Sequence, residues 1–345
     1  MSAADGALRD LTTLPKAHLH LHFTGSMRQQ TLLELAAERD IRLPRSLTDD
    51  VALQVEPTRR GWFRFQRQYD TARAVVDSEP AMRRLLHEAA EDDAAEGSGR
   101  LELQVDPTSY APFVGGLTPA IEIVLDQAAR SERETGVSIG IVVAASRTRH
   151  PLDARTLARL AARHAGRVIG FGLSNDERRG TTADFGPAFR IAREAGLLAV
   201  PHGGELLGPS HVQDVVEHLG PHRLGHGVRA AEDPALLERV VDAGIGLELC
   251  PASNASLGVV ERAADVPLRR LVDAGAEIAL GADDPLLFGS RLVDQYATAR
   301  ELGFTDVELA ALAVSSIRIS AAPDEVKQRL LRGVRDWLAA PATTR

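Results

Sequence analysis

The chain has 345 residues, 44% of them hydrophobic, and a net charge of −8 from 40 basic and 48 acidic side chains. That length exceeds the usual single domain but suits a barrel with an insertion, and the mixed, mildly acidic charge excludes an electrostatic nucleic-acid binder. A lone cysteine, Cys250, excludes an internal disulfide and any metal site built on several cysteines.

The opening "MSAADGALRDLTTLPK" has no apolar run after a basic start, so no signal peptide is expected. No uninterrupted apolar stretch is long enough to span a bilayer, and a cytoplasmic protein without a membrane partner is the expectation. The first predicted strand is "KAHLHLHF" (16–23). Residues two apart on a strand share a face, roughly 6.6 Å apart. His20 and His22 therefore project together and can grip one metal ion, while His18 shares their parity but sits deeper. An H-x-H is ordinarily two polar residues on a wet face. Here the flanking residues are apolar, and burying histidines without partners is costly.

Residues 26–99 are mostly helix-prone and are read as a helical insertion over the barrel mouth, a lid or substrate wall. Within it "RRGWFRFQRQYD" interleaves Arg59, Arg60, Arg64 and Arg67 with Trp62, Phe63, Phe65 and Tyr69. The simple reading is an amphipathic helix with solvated arginines. The sharper one is a cationic, aromatic wall for an extended substituent, to which Arg28 in "TGSMR" adds.

Strands follow at 100–107, 137–146, 167–175, 197–205, 222–228, 245–254 and 277–285, most separated by segments of helical period such as "DARTLARLAARHAG". Eight strands alternating with helices is the arithmetic of a (β/α)8 TIM barrel, here 1–345 as one unit with two closing helices at the C-terminal end. "PHGGE" closes the fifth strand with His202 and Glu205. "GHG" ends the sixth with His226, and "GADDP" the eighth with Asp283 and Asp284. Each has a bland alternative: a polar strand end, a structural histidine, a helix cap. All of them fall at the C-terminal ends of strands, the rim on which barrel enzymes build their sites. Three imidazoles and a carboxylate suit zinc with an open position for water. The fourth strand has no lysine to bridge a second ion, since the only lysines are Lys16 and Lys327, so one Zn2+ per chain is expected.

"PKAHLHLHFTG", "HGGE", "GHG", "CPASNASLG" and "GADDP", in this order and over nearly the whole chain, resemble the adenosine/adenine deaminase family of the amidohydrolase barrels. The resemblance implies zinc ligation by His20, His22, His202 and Asp283. It implies Glu205 as the acid that protonates purine N1, His226 as the group orienting the metal-activated water, and Asp284 as the partner of N7. Three positions depart from the family: His18 and Thr24 stand where acids are common, Thr24 at the ribose 5′-hydroxyl contact. Asn175 replaces the glycine whose amide meets N3. "HFTGSMR" resembles members that deaminate 6-amino-6-deoxyfutalosine, whose carboxylate arm would suit Arg28. The expected activity is hydrolytic deamination of an adenine nucleoside, adenosine or the futalosine type. Adenine deaminase and a non-catalytic nucleoside-binding barrel are the alternatives. Metal identity and oligomeric state stay open.

Overall fold

In a computed structural model that describes residues 8–49 and 51–342, the short β-branched runs form eight parallel strands. They are β1 (Lys16–His22), β2 (Ser98–Val105), β3 (Ser138–Ser146), β4 (Val168–Ser174), β5 (Leu198–Gly203), β6 (Arg223–His226), β7 (Gly246–Leu249) and β8 (Ile278–Leu280). Residues 1–7, on which part of the signal-peptide reading rests, lie outside the described ones. The strands pair in sequence order from β1 to β8. Beyond the last strand the chain returns to the first: His22 N–H donates to the Asp283 carbonyl and Asp283 N–H to that of His20, both at 3.0 Å. The result is a nearly closed (β/α)8 TIM barrel.

The observed strands are shorter than expected at their C-terminal ends, for a local reason in each case. β7 gives way to a short helix, Pro251–Ser256, because Pro251 cannot donate to a ladder and suits a first helical turn. β6 stops at His226, which has φ +65°, and β8 gives out before Asp283, at φ +62°. These turns point side chains over the barrel mouth.

The barrel interior holds charged side chains as well as hydrocarbon. Glu102, Arg223 and Glu248 are 0–1% exposed. The Arg223 guanidinium spans both acids, 2.5 Å to Glu102 Oε2 and 2.6 Å to Glu248 Oε1, and donates to the Ile319 carbonyl. Arg100 Nε, at 3.1 Å, and the Ala321 N–H donate to the other Glu102 oxygen. Burial alone would raise the Glu102 carboxyl, but Arg223 and Arg100 outweigh it and hold it below the usual carboxylate range.

Between β1 and β2 run four helices: α1 (Gln29–Glu38), α2 (Arg45–Thr48), α3 (Arg59–Ala74) and α4 (Glu79–Ala95). α4 packs on β2 and on the helix Leu117–Thr135, so it fills a place in the outer ring. Of these four helices, α3 lines the barrel mouth. α3 begins at a Thr58 cap that accepts the Gly61 N–H, and its Phe65 stacks on Phe288 beyond β8, with centroids 5.6 Å apart. Among the described residues no helix is long and apolar enough to cross a membrane.

Candidate active site

Four histidines meet at the C-terminal mouth of the barrel. The His20 ring centroid lies 5.2 Å from that of His22 and 4.8 Å from those of His202 and His226; His202 and His226 are 4.9 Å apart. Glycines permit this crowding: a Cβ at Gly225 would stand 2.7 Å from His202 Cδ2 and 2.9 Å from His20 Cε1. A Cβ at Gly281 would likewise stand 2.7 Å from His20 Cβ. Asp283 Oδ1 is 3.2 Å from His22 Nε2 and 3.5 Å from His20 Nε2. His226 Nε2 is 3.7 Å from Glu205 Oε1 and 3.9 Å from Asp283 Oδ2.

The cluster is short of partners. His20 Nε2 and both ring nitrogens of His202 and His226 are buried with no hydrogen bond within the protein, as are Glu205 Oε2 and Asp284 Oδ1. Such orphaned polar atoms are costly unless a ligand satisfies them. One donor atom from each of His20, His202 and His226 lies within a 4.8 Å set, and Glu205, His226 and Asp283 form another. This donor set of imidazoles and carboxylates fits a divalent cation. His20 is oriented for that role from behind: its Nδ1 is 2.8 Å from Glu248 Oε2, which leaves Nε2 facing the cluster.

Burial and crowding set the protonation states. Burial pushes the Glu205 carboxyl well above the usual range, and the neighbouring Asp283 and Glu177 add to it. Asp284 is raised well above its usual value by burial and then by Asp283. Asp283 goes the other way: burial opposes ionisation, but the adjacent His20 and His22 imidazoles outweigh it. Burial and the adjacent imidazoles keep His202 well below its ordinary value, and burial with His20 takes His226 down to about 3. His20 resists burial through Asp283 and Glu248 and rises to about 10. The mouth thus combines two imidazoles that favour the neutral form, His202 and His226, one that favours its proton, His20, one firmly ionised carboxylate and two carboxyls that favour their protons.

A cavity of ≈ 890 Å³ opens over this cluster, at the upper end of the usual range for small-molecule sites. His22, His202, Glu205, Asp283 and Asp284 line its walls together with Gln104, Asp106, Tyr110 and Asn175. α3 supplies Arg59, Trp62, Phe63, Phe65, Tyr69 and Arg73. Asn175 sits at φ +80°, and its side-chain oxygen accepts the Asp176 N–H, so the extra side chain folds onto its own turn.

Three expectations are corrected. Arg28 does not line the cavity: Asp92 takes its Nε and Nη2 at 3.0 and 2.8 Å, and Glu91 lies 3.0 Å from Nη2. Thr24 is buried with its hydroxyl 2.6 Å from that of Tyr110, so it reaches the cavity only through Tyr110. His18 turns to Asp93 Oδ1 at 2.9 Å and accepts the Ala282 N–H, where the β1–β2 register shifts between His18 and Leu21. Of the arginines singled out in α3, Arg59 lines the cavity, and Arg60, Arg64 and Arg67 do not. Sequence reading missed Glu248 and Gln104; the signal available was a polar residue within an apolar strand, Glu248 in "GLEL" and Gln104 beside Glu102 in "LELQV".

The model of the adenosine deaminase family matches residues 15–337. The chain belongs to the adenosine deaminase family. A relative from Streptomyces coelicolor, provisionally named adenosine/adenine deaminase, is 60% identical over 340 residues, 96% of this chain and 99% of its own. The crystal structure of an adenine deaminase from Arthrobacter aurescens superposes with a TM-score of 0.86 at 30% identity, covering 94% of this chain and 99% of that one. An amidohydrolase from Burkholderia ambifaria, solved with bound Zn, shares the fold at 21% identity, with a TM-score of 0.83 over 99% of this chain and 100% of its own. As a member of the adenosine deaminase family, the chain is a hydrolase acting on carbon–nitrogen bonds of cyclic amidines by hydrolytic deamination.

Proposed function

We propose that the chain removes the 6-amino group of an adenine nucleoside, releasing ammonia and the hypoxanthine nucleoside, with one zinc ion per chain. The observation that carries this reading is the pairing of a proton-retaining carboxyl, Glu205, with the partner-poor His/Asp cluster on the wall of one cavity. Zinc would be held by His20, His22, His202 and Asp283, and when bound it supplies the Lewis acidity that makes water nucleophilic near neutral pH.

The protein's own groups do the rest. Attack of water at C6 breaks the aromaticity of the ring and builds charge on N1. Glu205, protonated by its buried setting, donates to N1. His226, neutral and 3.7 Å from Glu205, orients the water, takes up its proton and passes it to the 6-amino group. That group leaves as ammonia as the C6–N bond breaks and the C6 hydroxyl proton returns to Glu205. Asp284, also protonated, donates to N7, and the backbone amide at Asn175 faces N3. The low polarity of the closed pocket strengthens each of these contacts.

The cavity is roomier than a bare base requires, which supports a nucleoside over free adenine. A second reading has its own support: Arg59, Arg149 and Arg179 are exposed cations on the cavity wall. They suit a nucleoside with an anionic 5′-arm, such as the carboxylate of 6-amino-6-deoxyfutalosine, and replace Arg28 in that role. Ammonia release measured over adenine, adenosine, 5′-modified adenosines and aminodeoxyfutalosine tests both. Adenosine as the best substrate supports the first, a carboxylated nucleoside the second, and free adenine alone would overturn both.

A further inference from the structure

The stretch that carries Glu205, "PHGGE", places two glycines between it and His202. Gly204 adopts φ +79°, and a Cβ there would stand 2.6 Å from Val212 Cγ2, so glycine is required. The cost is a turn with no side chain of its own to define it. Its definition comes from the ends of the two preceding strands.

Arg147, buried just past β3, donates from Nη2 to the His202 carbonyl at 2.8 Å and from Nη1 to Thr182 Oγ1 at 3.3 Å. Glu177, three residues past β4 and 3% exposed, holds the other end of the turn. Its Oε1 accepts the Glu205 N–H at 3.1 Å, and its Oε2 accepts the N–H groups of Leu206 and Leu207, each at 2.8 Å. His211 Nδ1 lies 3.6 Å from the same Oε2. A carboxylate with three consecutive backbone amides is a charge-assisted clamp, stronger than neutral turn bonds.

We infer that Glu177 is a positioning residue for the deamination: it fixes the backbone of 205–207, and with it the Glu205 carboxyl, while Arg147 fixes the His202 end of the same turn. This rests on Glu205 being the proton donor proposed above. Neither Glu177 nor Arg147 carries a local sequence signal of this role; their targets lie 28 to 30 and 55 residues away.

The test is Glu177→Gln, which keeps the volume but turns an amide NH2 toward backbone donors, assayed as the zinc-loaded enzyme. The expected result is a folded protein with unchanged zinc content and a kcat lower by about 10–100-fold, the range a misplacement near 1 Å produces. KM should stay within about twofold, since ground-state binding is untouched. Glu177→Asp, which keeps the charge with shorter reach, should fall between Gln and wild type, and it serves if the Gln variant does not fold. In a Glu205→Gln background the Glu177 substitution should cost little more, because its effect passes through Glu205. Full kcat in Glu177→Gln, loss of zinc, or additive losses in the double variant would each overturn the inference. A wild-type protein inactive on every adenine substrate would overturn the proposed function instead.

Discussion

In the interior of the barrel, Glu102 and Glu248 present four carboxylate oxygens, and all four have partners: Arg223 takes one of each, Arg100 and the Ala321 amide share a third, and His20 takes the fourth. At the mouth, His202 and His226 have none within the protein, and Glu205 and Asp284 each leave an oxygen unpaired. Both regions are buried and both are built from ionisable residues, so burial and composition do not distinguish them. Satisfaction does. The interior network settles its charges internally and makes a framework, whereas the mouth keeps unspent hydrogen-bonding capacity for a cation, water and substrate. His20 and Glu248 join the two, Glu248 facing Arg223 with one oxygen and His20 with the other. Backbone strain follows the same division. Among the described residues four non-glycines have positive φ, and three of them, Asn175, His226 and Asp283, stand at the ends of even-numbered strands around the mouth.

The contrast is broken most severely at the proposed proton donor. Glu205→Gln should lower kcat by about 10²–10⁴-fold, the usual contribution of a positioned acid or base, with zinc content unchanged. Steady-state kinetics with metal analysis checks it; near-full turnover would remove the proton-donor role. In the framework the expected loss is one of stability. Arg223→Met leaves one oxygen of each of two buried acids without its partner and should cost about 3–5 kcal/mol in chemical denaturation. The pH dependence has a definite sign: the Glu102 carboxyl is held below its ordinary value, so its contribution is present above the ordinary carboxylate range and is lost as pH falls through the depressed value. Acid unfolding should therefore be shallower in the variant than in the wild type.

The link between the regions should respond in metal affinity. Glu248→Gln weakens the hold on His20 Nδ1 and should reduce zinc affinity about 10–100-fold, measured by competition with a chelator. The smallest effect lies outside both regions. Asp40, exposed at φ +53° after α1, is strained without a ligand to justify it. Asp40→Gly should raise stability by up to about 1 kcal/mol in thermal unfolding and leave kcat unchanged.

The strands and the chemical residues at their tips were legible because they carry local signals: β-branched runs, histidines at alternate positions, glycines beside His226 and before Glu205, and paired acids before proline. The residues that orient them carry no signal that names their targets. Glu248 reads as a lone acid in "LELC", and its meaning depends on His20, 228 positions away. Arg28 was misread for the same reason, since the acids that claim it are 63 and 64 residues downstream on α4. His18 has the parity of a ligand and loses it to a register shift that no periodicity reveals.

The unsatisfied cluster at the mouth is held to be a divalent-cation site that drives deamination, and ammonia release from adenosine by one preparation before stripping, after stripping and after zinc is restored tests this directly. Turnover should vanish with the metal and return with one equivalent per chain. Undiminished turnover in protein shown to be metal-free would contradict it.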